Sequence, residues 1–466
     1  MSKDVEKNME AKSGVEQFGY EQSLKRVLGI GPLIFYGFAY MVPLTIFTTY
    51  GIVMQSTHGM LALAYVVATV GMLLTALSYG KMVKAYPIAG SVYSYAQRAI
   101  HPNVGFLSGW AIMMDYLLLP MINYLVASVF LHPVFPSIPT WIWILGYIIL
   151  VTIINIIGIR ITTWANNVLV LIQLVFLLAL VIFIAKWLIS GGGAGTFFDW
   201  KALFNQPEFH AGGGWPMIFG GASILALSFL GFDAITTLSE ETVNPKKNIP
   251  RAIVIVCLGG GVGFILISYL LELAWPTGWA QFKTADTGAY EIIGKVAGSF
   301  MGYFFTAAYC IGCLASAMAS SASASRILFG MGRDGVLPKF FAGVNKKFQT
   351  PINSIIVLAI VSLTALFLSV DTAVSFINFG ALAGFTLVNV SVIFHYYIHG
   401  KQRDLVGTLK YLVLPLLGGC VTFAIWISLS GAAKILGFAW IGVGVVYLLV
   451  WLFVLKRKPP ELKMDE

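Results

Sequence analysis

Long apolar stretches separated by short polar ones run along almost the whole chain. Between Val27 and Gly80 there is no Asp, Glu, Lys or Arg, which leaves room for two membrane spans around a short break at 55–59. A helix needs about 20 apolar residues to cross the hydrocarbon core. Reading on by that measure predicts twelve spans, near 29–54, 60–81, 103–131, 141–159, 163–188, 216–238, 251–274, 298–326, 352–370, 373–398, 411–430 and 435–455.

Composition agrees. Of the 466 residues, 58% are hydrophobic and 11% charged, with a mean hydropathy of +0.85. A soluble domain carries about 25% charged residues. A soluble enzyme, a nucleic-acid binder and a disordered scaffold are therefore excluded as first readings, and a polytopic membrane protein remains.

The net charge of +9 is explained by where the basic residues fall. Of 29 Lys and Arg residues, all but Lys186, Lys201, Lys283, Lys295 and Lys434 sort to the loops on the side of the N-terminus. Basic loops stay in the cytoplasm, and an even number of spans puts both termini there. No nucleic acid is required. Residues 1–28 are polar, with five basic and five acidic side chains and no apolar core before a cleavage site, so no signal peptide is expected.

The resulting organisation is a cytoplasmic tail (1–28), a first run of five helices (29–188) and an extracellular loop (189–215). A second run of five follows (216–398), then two further helices (399–455) and a tail (456–466). The loop is rich in Gly and Trp and reads as a flexible surface segment or a moving gate.

Two spans are interrupted. The first has Pro43 near its centre, in FAYMVPLTIFTTYG, where the ring removes an amide and blocks the carbonyl four residues back. The sixth reads GGASILALSFLGFDAI, with Gly231 two residues before Asp233. Each is the first of a run of five, and an odd number makes the second run enter from the opposite side. Transporters built from inverted repeats show this pattern, with the substrate at the midplane between two discontinuous helices.

Asp115 in the third span and Asp233 in the sixth are the acids clearly inside the membrane; Glu272 falls at the outer end of the seventh. No Lys or Arg is expected mid-span. A carboxylate at mid-membrane costs about 2.5–3.5 kcal/mol on insertion scales, so each Asp is a candidate for cation binding or proton carriage. Tyr40, Tyr116, Tyr124 and Trp110 offer aromatic faces for an ammonium group. Asn123, eight residues after Asp115, shares nearly the same helix face.

Other chemistries find no support. Cys257, Cys310, Cys313 and Cys420 lie in apolar stretches, and the CxxC of Cys310 and Cys313 sits in a small-residue run suited to close helix packing. The six histidines lie in or beside loops without ligand spacing. There is no phosphate-binding glycine loop and no GxSxG. No metal, cofactor or enzymatic activity is expected. An embedded enzyme or a sensor would need a catalytic cluster or a soluble signalling domain, and neither is apparent.

Three further stretches carry a resemblance: SFLGFDAITTLSEETVNPKKNIPRAI (228–253), YPIAGSVYSYAQRAIHPNVGFLSGW (86–110) and SRILFGMGRDGVLPKF with Thr350 and Pro351. They are similar to segments of the amino acid–polyamine–organocation superfamily, over about residues 25–455. The resemblance implies an all-α membrane protein of twelve helices. These would form a LeuT-like five-plus-five inverted repeat with helices one and six discontinuous, plus two C-terminal helices, working by alternating access on ion gradients.

SYGKMVKAYPIAGSVYSYAQ, MDYLLLPMIN and INFGALAGFTLVNVSV further resemble the bacterial putrescine importers. Amino acid permeases of the superfamily hold the substrate carboxylate on amides of a Gly-x-Gly break; here Pro43, Leu44 and Thr45 stand in its place, which suits a substrate without a carboxylate. The resemblance matches Asp115 and Tyr116 to a DY pair of the putrescine importers and implies that the Tyr takes part in substrate recognition. It assigns Asp233 to a general family acid, and Glu240 and Glu241 to an inner gate or structural role. Two departures matter: Thr48 stands where the putrescine importers carry Asp, and Gln173 where many proton-coupled permeases carry Lys.

The sequence thus reads as a secondary transporter in a bacterial cytoplasmic membrane, importing putrescine or a related polyamine. The driving force would be membrane potential and protons or another coupling ion. The alternative is an amino acid permease of the same superfamily. The expected substrate-binding set is Tyr40, Pro43, Leu44, Thr45, Thr48, Asp115, Tyr116, Asn123, Phe229, Gly231 and Asp233. Asp115, Asp233 and Glu240 are the candidates for proton coupling or gating.

Overall fold

The computed structural model describes residues 26–132, 134–283, 285 and 288–454; the two expected tails fall largely outside them. The first span is two helices, α1 (Ile30–Met41) and α2 (Ile46–Ser56), bent by 50° at the break. After it come α3 (Leu61–Ala85), the short α4 (Ser91–Ala99), α5 (Pro102–Leu131), α6 (Thr140–Ile157) and α7 (Trp164–Ile189). The sixth span begins as α8 (Trp215–Leu225), tightens to a 3-10 turn at Ala226–Phe229, breaks, and resumes as 3-10 helix over Ala234–Glu241. The remainder is α9 (Pro245–Ala274), α10 (Gly288–Arg333, kinked at Gly298), α11 (Ile352–Ser362), α12 (Val370–Val392), α13 (Leu405–Ile427) and α14 (Gly431–Phe453).

Among the described residues, ten helices are long and apolar enough to span a membrane, eleven with the bent α1–α2 pair counted as one. The expected ninth span is shorter than the hydropathy reading gave it: α11 with its 3-10 extension covers Ile352–Leu366. Fifteen residues fall short of the roughly 20 needed for an untilted crossing.

The broken helices lie inside and the others surround them. The sixth span is the most buried of the long helices, whereas α6, α7, α13 and α14 turn most of their apolar residues outward, as lipid-facing helices do. Close contact in the interior depends on small residues. The run from Ala315 to Arg326 in α10 is buried throughout, and several of its hydroxyls find carbonyl partners: Ser320 Oγ donates to Ser316 O at 2.7 Å and Ser325 Oγ to Ala322 O at 2.8 Å. Cys310 and Cys313 are buried in this packing.

The segment 189–215, read above as a flexible surface segment or a moving gate, bonds in its first part to the end of α9. Ala194 N donates to Leu273 O, Trp187 Nε1 to Ala274 O and Asp199 N to the Tyr269 hydroxyl. Trp110, offered above as an aromatic face for substrate, is committed to packing. Its ring stacks on Trp440 at 4.8 Å, and each indole donates to the other's backbone carbonyl.

Candidate functional site

The first break follows from Pro43, which has no amide and disfavours helical geometry at the residue before it. That residue, Val42, adopts φ 51°, a rare and costly conformation for a β-branched side chain. The break frees carbonyls inside a membrane protein, where such groups need partners, and three of them find hydroxyls. Ser316 Oγ donates to Tyr40 O at 2.8 Å, and Thr45 Oγ1 donates to both Met41 O and Val42 O at 2.7 Å. The hydroxyl of Thr45 therefore stabilises the break itself.

The second break meets the first. Gly231 sits at φ 125°, and a β-carbon there would fall 2.6 Å from Tyr40 Cβ, so no other residue lets the two chains approach this closely. Two residues on, Asp233 accepts a hydrogen bond from the Tyr116 hydroxyl at 2.8 Å and one from Gly231 N at 3.3 Å. Asp233 thus ties α5 to the turn of the sixth span.

Between the breaks lies a cavity of about 40 Å³, room for a few waters and less than a diamine fills. Tyr40, Thr45 and Thr48 line it from the first span, Leu119 and Asn123 from α5, Leu227 and Leu230 from the sixth span, and Tyr309 and Ser316 from α10. Asn123 donates to Leu119 O at 2.7 Å and to Ser316 Oγ at 3.0 Å. The Thr48 and Tyr309 hydroxyls bond to each other at its edge.

Asp115 lies one helical turn before Leu119. It is 1% exposed, both its carboxylate oxygens lack a hydrogen-bond partner, and it is within electrostatic reach of Asp233 and Tyr40. The Tyr40 hydroxyl is likewise buried without a partner. A buried carboxylate with nothing to bond is costly in a low-dielectric interior. The two acids singled out from sequence therefore differ: Asp233 is held, and Asp115 is free.

Not every expected residue reaches the cavity. Pro43 faces a separate apolar hollow with Phe38, Phe264 and Ile267. Leu44 is buried in the core, and Phe229 packs its ring on Tyr65 and Phe264. Tyr116, like Asp115 and Asp233, is not among the lining residues, and its hydroxyl bonds Asp233. Tyr124 packs against Tyr147. Gln173 is buried, donating to Leu169 O and pressing its side-chain oxygen against Gly312.

The expectation of no buried base is corrected. Helix α10 runs past its predicted end and carries Arg326, 3% exposed, which forms a two-pronged pair with Glu241 and donates to Ala322 O at 2.7 Å. Beside it Glu240 accepts from Arg333 at 3.0 and 3.1 Å and from Ala89 N at 3.1 Å. Val27 N and Leu28 N donate to Glu241 O. These bonds fasten the end of the sixth span to α10, to the turn before α4 and to the segment preceding α1. The paired charges neutralise each other, so Asp115 keeps its distinction. Among the described residues no three His, Cys, Asp or Glu side chains are grouped to hold a metal ion.

Sequence reasoning missed Tyr309, Ser316, Arg326 and Arg333. The small-residue run of α10 contained two of them, but polar contacts made across 261 or 276 residues leave no local pattern.

A family model described as amino acid permease matches residues 32–460. The low-affinity putrescine importer PlaP of Escherichia coli (strain K12) is 40% identical over 427 residues, covering 91% of this chain and 93% of that protein. The branched-chain amino acid permease BcaP of Bacillus subtilis (strain 168) is 24% identical over 460 residues, covering 93% and 92%. Among solved structures, MhsT in complex with L-phenylalanine superposes with a TM-score of 0.58 at 15% identity, covering 87% of this chain and all of that one. That match shows the LeuT-like helical fold. The chain belongs to the amino acid permease family, within the amino acid–polyamine–organocation superfamily.

Proposed function

We propose that the protein is a secondary active transporter that imports putrescine or a related polyamine. One observation carries the reading: Asp115 is a buried carboxylate one helical turn from the cavity-lining Leu119, and neither of its oxygens has a hydrogen-bond partner among the described residues. An arriving ammonium group would supply the missing partner. A substrate carboxylate needs N–H donors, and at the first break Pro43 has none while the amides of Val42 and Thr45 already bond Phe38 O and Val42 O. The 40% identity to a putrescine importer over nearly the full chain supports the same substrate class.

In this reading the membrane is the bacterial cytoplasmic membrane, with both termini inside, because the basic residues gather on that side. Alternating access requires the Glu240–Arg333 and Glu241–Arg326 pairs to part on the inner side and the Thr48–Tyr309 contact to part on the outer side. A divalent cation gains about 4.6 kcal/mol per 100 mV of inside-negative potential, roughly a thousandfold concentration or more. Potential alone can therefore drive import, and proton entry through Asp115 would add to it.

The test is radiolabelled putrescine uptake into proteoliposomes under an imposed inside-negative potential, with and without an inward proton gradient, in competition with ornithine. Saturable uptake that ornithine inhibits poorly is expected. The second reading, an amino acid permease, draws on Thr48 standing where an acid would add a second amine partner. Transport of amino acids with no putrescine uptake would establish it in place of the first.

A further inference from the structure

One buried acid has no part in the central site. Glu272 lies two residues before the end of α9, at the opposite end of the bundle from Glu240, and is only 6% exposed. Its Oε2 has no hydrogen-bond partner among the described residues. Two aromatic side chains, Trp279 and Tyr50, lie near it. The position a β-carbon would take at Gly59 (φ 85°) lies 3.0 Å from Glu272 Oε1 and 2.9 Å from Trp279 Cδ1, so the missing side chain leaves the carboxylate facing an indole across a small gap. Trp279 stacks on His58 at 4.8 Å, and His58 in turn bonds Glu208 at 3.0 Å. Tyr50 lies within electrostatic reach of Glu272, its hydroxyl buried and unpartnered, with its ring 5.7 Å from Phe282.

A free carboxylate, a free phenol oxygen and flanking aromatic rings suit the head of an alkylammonium ion. The carboxylate and phenol would accept its N–H groups, and the rings would meet its cationic face and first methylenes. The chain shows the same preference nearby, where Lys295 places its Nζ 4.0 Å over the Trp275 ring. Gly59 lies beyond the end of α2, whose helical stretch from Thr48 to Ser56 alone spans about 12 Å, so this place is separate from the central cavity.

We propose that Glu272, Tyr50 and Trp279 form a second, outer binding site for the ammonium group of an aliphatic amine. The choice of putrescine as ligand rests on the function proposed above; the ammonium chemistry does not. The test uses full-length protein in nanodiscs, titrated with radiolabelled putrescine for stoichiometry and followed in parallel by tryptophan fluorescence. Trp279 touches the outer site, whereas the described lining of the central cavity includes no tryptophan. Wild type is expected to bind two putrescines per chain with a fluorescence change. Asp115→Asn should bind one and keep the change. Glu272→Gln should bind one and lose it, and Trp279→Phe should lose the change with far weaker outer binding. Stoichiometry of one in the wild type, or an unaltered fluorescence response in Glu272→Gln that elutes as a folded monodisperse protein, overturns the proposal. A parallel titration with n-butylamine separates the two readings. A Glu272-dependent response to butylamine without any putrescine binding would sink the proposed substrate and leave the outer site standing, and no response to either amine would sink both.

Discussion

Replacing Asp115 with Asn separates a binding carboxylate from a structural one, because the two buried acids of the core differ in what holds them. Asp115 makes no hydrogen bond, so its amide isostere removes no contact from the folded protein and relieves an unpartnered buried acid. Thermal stability in detergent should stay within about 1 kcal/mol of wild type or rise. Uptake is a different matter. A hydrogen bond to a charged partner contributes roughly 1.5–3 kcal/mol, which corresponds to about a 10- to 150-fold loss in apparent affinity or in uptake at low substrate. The comparison is Asp233→Asn, which disturbs the bonds to Tyr116 and Gly231 and should cost about 1–3 kcal/mol of stability as well as activity. Initial rates of putrescine uptake and fluorescence-detected thermal melts, taken on the same preparations, read both quantities. The reasoning fails if Asp115→Asn transports like wild type, or if it is as unstable as Asp233→Asn.

Further expectations concern the gate, the break and the cavity edge. Glu241→Gln strands the buried Arg326 charge and should destabilise by about 3–5 kcal/mol, while Glu241→Met with Arg326→Met should recover most of the melting temperature; a double variant no better than the single contradicts the pairing. Gly231→Ala combines left-handed strain of roughly 1–2 kcal/mol with a collision on Tyr40 of roughly 1–3 kcal/mol, and should abolish uptake even where the protein remains folded. Thr48→Asp adds a carboxylate at the cavity edge and should tighten putrescine at least about tenfold in equilibrium binding.

The hydropathy pattern by itself determined most of the fold. Most of the helices overlap their predicted spans, although α10 runs seven residues past its predicted end and the ninth span is shorter than expected, because a helix in lipid must satisfy its own backbone and so writes its length into the sequence. Pro43 and Gly231 announced both breaks for the same local reason: one lacks an amide and the other lacks a β-carbon. The buried positions of Asp115 and Asp233 were equally plain, since an acid in an apolar run has nowhere else to be.

Only the tertiary structure decided what those residues do. Asp233 and Tyr116 are 117 residues apart, Thr48 and Tyr309 261, and neither pairing follows from a periodicity. Arg326 looked like the end of a span until α10 continued to Arg333 and brought it against Glu241. Tyr116 and Phe229 carried the right chemistry for a cation site and were turned away from it by the packing of neighbouring helices. Helical spacing along one chain fixes which face a side chain occupies, but the partner on the facing helix is set by how the bundle packs. That packing left Asp115 and Glu272 without partners and gave Asp233 and Glu241 theirs.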